Sequence, residues 1–202
     1  MKKKIFFDMI LNIVATSIPT VVLQLLILPS LSNYMDGNAY GLMVTILAVL
    51  NVVPSTIGNV LNNVRLLHEE SYKKDNEQGD FQILLTIFQA INLLIMVTVS
   101  IYYLGTKDIT GILLLIAVGI LWLGREYHIV AFRLKLDYIA ILVNNLCLVA
   151  GYGIGYIFFM KNGYWQIIYL LGYILSYLHI VIASPIVKEP FTKTKRLRIV
   201  FN

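Results

Sequence analysis

Six long apolar stretches run near Met9 to Leu28, Tyr40 to Leu61, Ile83 to Tyr103, Ile112 to Phe132, Tyr138 to Phe159 and Tyr164 to Ile186, separated by polar breaks. Each is close to the roughly 20 residues that a helix needs to cross the hydrocarbon core of a bilayer. Turn residues at Asp36-Gly37-Asn38, Gly105-Thr106-Lys107-Asp108 and Lys161-Asn162-Gly163 make three of the breaks short, so the helices they join must pack antiparallel. The pattern predicts an all-α polytopic membrane protein, with a six-helix bundle over residues 1–186 and a basic tail or linker over 187–202. The longest hydrophilic segment, about Asn62 to Gln82, mixes both signs of charge and reads as a solvated loop.

Polar residues inside these stretches are not scattered. Asn51, Ser55, Gly58, Asn59, Asn62 and Arg65 fall within roughly 120° of one another on a helix turning 100° per residue. Asn12, Thr16, Thr20 and Gln24 gather on the first helix in the same way, and Gln82, Thr86 and Gln89 on the third. Unpaired amides are costly in hydrocarbon, so these faces either bond to neighbouring helices or line a water-filled cavity. Pro19 and Pro54 sit in mid-stretch, where each frees a backbone carbonyl and permits a kink. Gly151-Tyr152-Gly153-Ile154-Gly155 has the small-residue spacing that lets helices approach closely. Tyr169, Tyr173 and Tyr177 share one face, as a buried aromatic seam or as rings on which sugars could stack, while Tyr164 and Trp165 suit a membrane interface.

Charge adds an orientation. Fourteen of the sixteen lysines and arginines fall on one side of the six-span arrangement, leaving only Lys107 and Lys161 on the other. Basic residues near span ends are retained in the cytoplasm, which puts both termini there. Composition agrees: 58% of residues are apolar, 13% are charged, and mean hydropathy is +0.78. A soluble domain carries about 25% charged residues, so a soluble enzyme or nucleic-acid-binding module is not expected. The apolar run behind Met1-Lys2-Lys3-Lys4 is too long for a cleaved signal peptide and reads as a retained first helix. A single cysteine, Cys147, excludes an internal disulfide and a multi-cysteine metal site.

The fourth stretch is the richest chemically. In its last three turns it carries Arg125, Glu126, His128 and Arg133. One reading is snorkelling to the inner interface, helped by a Glu126 to Arg133 pairing. The other is an electropositive lining for a pyrophosphate or acidic sugar, with Glu126 the only intramembrane acid and hence the side-chain candidate for proton or cation coupling. His68, His128 and His179 are scattered, no paired carboxylates stand at metal-ligand spacing, and no nucleophile is near a base. Neither an enzyme nor a cofactor is expected.

Tyr34-Met35-Asp36-Gly37-Asn38-Ala39-Tyr40-Gly41-Leu42, Asn62-Asn63-Val64-Arg65-Leu66-Leu67 with Gly79-Asp80-Phe81, the run from Arg125 to Tyr138, and Gly163-Tyr164-Trp165-Gln166 together carry a resemblance. The chain resembles the O-antigen and capsule polysaccharide repeat-unit flippases of the multidrug and oligosaccharidyl-lipid exporter superfamily. That resemblance implies one lobe of a two-lobe, alternating-access fold in the cell membrane, carrying an undecaprenyl-pyrophosphate-linked oligosaccharide. It also implies that Arg65 and Arg125 face the cavity and attract the pyrophosphate, beside the amide stripe of Asn51, Asn59 and Asn62 and with Glu126 for coupling. The chain ends at Asn202 after one lobe of helices, so a second copy or a separate lobe would complete the cavity. A truncated inactive product, or a non-transporting scaffold of a polysaccharide assembly complex, is the alternative.

Overall fold

A computed structural model describes residues 2–74 and 79–184. The first span is built from three pieces: α1 (Lys2–Val22), a widened π-helical turn (Leu23–Ile27) and α2 (Leu28–Tyr34). Within the widened turn the Leu28 amide closes on the Leu23 carbonyl. Pro29, which has no N–H to give, follows at the start of α2. The remaining spans are α3 (Gly37–Lys74), α4 (Gly79–Leu104), α5 (Ile109–His128) continued by the short α6 (Val130–Leu134), α7 (Tyr138–Asn162) and α8 (Gln166–Ala183). The fold is an all-α bundle with six segments long and apolar enough to cross a membrane, as the hydropathy pattern predicts.

The ends of the helices have local causes. Asp36 accepts from the amides of Asn38 and Ala39, Asp108 from Gly111 and Asp137 from Ala140, each satisfying amides that a first turn leaves open. Gly163 ends α7 in the left-handed region at φ +75°, where a side chain would be strained.

One expectation is overturned. The described residues of the stretch expected as a solvated loop, 62–74 and 79–82, are helical: α3 runs on to Lys74, α4 begins at Gly79, and Asn62, Arg65, Asp80 and Gln82 are buried. Sign-mixed charge in this stretch supports a helix. Arg65 and Glu69 pair one turn apart at 2.8 Å, and Lys73 and Lys74 stand at the negative end of the helix dipole. Leu61, Val64 and Tyr72 then supply an apolar strip that packs on Phe81 and Leu85 of α4. The predicted tail over 187–202 lies outside the described residues.

Packing follows the small residues. α7 and α8 make the most extensive contact in the bundle. A methyl group at Gly151 would collide with the Leu171 carbonyl oxygen, and one at Gly155 would come within 2.5 Å of the Ile168 Cα. α5 packs on α3, α4 and α8, and α1 packs on α7. Direct contact between the first span and α3 is made mainly through α2, so α1 and α3 stand apart along the rest of their length.

Candidate functional site

The space between α1 and α3 is a cavity of about 600 Å³, backed by α5, α6, α7 and α8. α1 and the widened turn contribute Thr16, Thr20 and Gln24, and α3 contributes Asn51 and Ser55. Arg125, Glu126 and Arg133 line it from α5 and α6, Asn145 and Tyr152 from α7, Tyr169 and Tyr173 from α8. Trp122 and the apolar Leu23, Leu28, Leu47 and Leu148 complete the wall. The charged lining is two arginines against one glutamate.

Arg125 anchors the inner wall. Its Nε donates to Ser176 Oγ at 2.7 Å, one terminal nitrogen donates to Glu126 Oε1 at 2.6 Å, and the other donates to the side-chain oxygens of Asn144, at 3.1 Å, and Asn145. Asn144 in turn donates to the Ser176 carbonyl at 2.7 Å, and Asn145 donates to the Ala15 carbonyl at 2.8 Å. A guanidinium has five N–H groups, so one remains for a ligand after these four bonds. The arrangement joins α5, α7, α8 and α1 around a nearly buried cation. Glu126 takes this neighbour as its ion-pair partner; Arg133, half-buried, lines the same cavity.

The stripe on α3 divides. Asn51 and Ser55 line the cavity. Asn59 is exposed but outside the lining. Gly58 seats the Glu126 side chain, whose Cβ would lie 2.6 Å from an added methyl, and buried Asn62 donates to the Glu126 carbonyl at 3.0 Å. Arg65 is fully buried away from the cavity, where it donates to Glu69 and to the Tyr127 hydroxyl at 2.8 Å and lies 5.1 Å from the Phe81 ring centre. The two arginines named by the resemblance therefore occupy different places: Arg125 borders the cavity and Arg65 joins α3, α4 and α5. Arg133 is the second cavity arginine, and its position in the charged run of the fourth stretch was the available signal.

Polarity on α4 is a matter of packing. Gln89 Nε2 donates to the Ile120 carbonyl at 2.8 Å and Asn92 Nδ2 to the Gly119 carbonyl at 2.9 Å. Among the described residues no group of three His, Cys, Asp or Glu side chains is arranged to hold a metal ion. Comparison with protein-family models, with curated proteins and with solved structures finds no match.

Proposed function

We propose that this chain is one six-helix lobe of a flippase that carries a lipid-linked oligosaccharide repeat unit across the cell membrane, with both termini in the cytoplasm. The observation that carries the reading is the cavity itself: a net basic space of mixed polar and apolar lining within apolar spans, bordered on one side by the gap between α1 and α3. Such a space suits an amphipathic anion whose lipid tail stays in the bilayer while its headgroup is shielded from it. Arg133 and the remaining N–H of Arg125 would meet the pyrophosphate through charge-assisted bonds, which are strong in a low-dielectric site. Asn51, Ser55 and Gln24 offer donors and acceptors to sugar hydroxyls, and Glu126 is the group that would exchange a proton or cation during turnover.

Thr16, Thr20, Gln24, Asn51 and Asn59 are exposed on the α1 and α3 side of this lobe. Polar groups in that position favour a second lobe or a second copy that closes the cavity, because lipid would not satisfy them.

The test is export of lipid-linked sugar in cells that depend on this protein for it, measured as surface polysaccharide alongside the level of folded protein. Arg133→Gln should reduce export at least tenfold at an unchanged protein level, and Glu126→Gln should reduce it at least tenfold per amount of folded protein. Wild-type export by the double variant would exclude the mechanism. A scaffold without transport is the second reading. The observation in its favour is that three of the five donors of Arg125 are spent on holding α5 to α7 and α8, and wild-type export by the double variant is what it expects.

A further inference from the structure

Beside its charged residues, the cavity lining carries a group of aromatic rings. Trp122 stacks on Tyr173 with ring centres 5.2 Å apart and planes 23° from parallel, and Tyr152 meets Tyr169 edge to face at 5.8 Å. All four rings line the cavity. Trp122 is half-buried, with Tyr173 stacked on its indole, and it lines the cavity. Tyr169 is 2% exposed, yet its hydroxyl has no hydrogen-bond partner among the described residues. A buried hydroxyl without a partner is costly, and a ligand hydroxyl that reached it through a small shift of the surrounding side chains would remove that cost.

We propose that Trp122, Tyr152, Tyr169 and Tyr173 form a subsite for one sugar ring, beside the arginines that would meet the phosphates. This rests on the lipid-linked oligosaccharide reading and adds the group of side chains that would receive a sugar. An aromatic face receives the C–H side of a pyranose, and the Tyr169 hydroxyl pairs with one of the ring's hydroxyls. A group of aromatic rings can also hold a quaternary ammonium ion. The surplus of arginine over glutamate in the lining opposes a cation and admits a neutral sugar.

The two tryptophans make the subsite measurable. In the full chain carrying Trp165→Phe, Trp122 is the sole indole, and its emission reports on the proposed subsite. Methyl glycosides of common hexoses and N-acetylhexosamines, titrated through the millimolar range expected for ligands of that size, should give a saturable change with at least one of them. Tyr169→Phe, which keeps the ring and removes only the hydroxyl, should weaken that binding by about 5–10-fold, the worth of one net hydrogen bond. Equal affinity in Tyr169→Phe would overturn the assignment, as would a response to tetramethylammonium with none to any glycoside. A parallel measurement separates this subsite from the wider reading, using Asn51→Cys in a Cys147→Ser background and protection of the thiol by farnesyl pyrophosphate. Protection with no glycoside response removes the sugar subsite and leaves the flippase reading standing, whereas loss of both removes both.

Discussion

The side-chain amide of Asn145 donates to the backbone carbonyl of Ala15 across 2.8 Å, and that carbonyl is the one that Pro19 leaves without a helical partner. In an uninterrupted α-helix the amide four residues on would close on it, but proline has none. The break that Pro19 makes in the hydrogen-bond ladder of α1 is thereby tied to α7, and through Asn145 to Arg125. One break in a backbone ladder, predicted from a single proline, becomes a tertiary contact.

Replacing Asn145 by Leu should therefore lower stability in detergent by about 1–2 kcal/mol, since a buried carbonyl and an arginine each lose a partner. The loss should be smaller in a Pro19→Ala background, where the backbone amide restored at position 19 can bond to the Ala15 carbonyl within the helix. Thermal unfolding of the four proteins in this cycle measures the coupling, and strictly additive effects would mean that the two residues act independently.

Glycines in α7 should differ by position. Gly151→Ala and Gly155→Ala drive a methyl into the α8 backbone and should cost several degrees of Tm or prevent folding. Gly153→Ala, with nothing within 4 Å of the added methyl, should be neutral or slightly stabilising because alanine favours helix. Size-exclusion profiles and thermal scans of the three variants check the order.

Accessibility should follow the division of the α3 stripe. In a Cys147→Ser background, cysteines at Thr20, Leu47 and Asn51 should react with a water-soluble thiol reagent, since all three positions line the cavity. A cysteine at Asn62, buried against the Glu126 carbonyl, should be protected. Leu94 is exposed on the outer surface of an apolar span, so a cysteine there should also stay unreactive, because lipid suppresses the thiolate. Equal rates at Asn51 and Asn62 would contradict the placement of the cavity.

The arginines should separate in the same spirit. Arg65→Ala removes a fully buried cation from Glu69 and the Tyr127 hydroxyl, and should cost about 3–5 kcal/mol and much of the folded protein. Arg125→Ala would leave Asn144, Asn145, Ser176 and Glu126 without their shared donor and should also reduce the folded yield. Arg125→Lys, which keeps the charge but has no planar fork, should restore only part of it. Arg133, half-buried at the cavity, is the position where loss of export can be read apart from loss of fold. Fluorescence-detected chromatography of the variants gives the folded fraction directly.

The sequence by itself determined that six helices are long and apolar enough to span a membrane, where most of them turn, and that α7 carries glycines spaced for close helix approach. These are local properties: hydropathy sums over consecutive residues, turn residues act where they stand, and glycine spacing needs no knowledge of the partner helix. A polar stripe conveys less. The angular position of Asn51, Asn62 and Arg65 on α3 shows that they share a face, but not what stands opposite each turn of it. Only the tertiary structure assigned Asn51 to a cavity, Asn62 to the Glu126 carbonyl and Arg65 to a buried contact with Tyr127. It also turned a mixed-charge stretch into helix, because Arg65 and Glu69 pair within one turn and Phe81 returns to cover their apolar neighbours. The energy of a polar group inside a membrane is set by its partner, and that partner comes from another helix, which no single stretch of sequence contains.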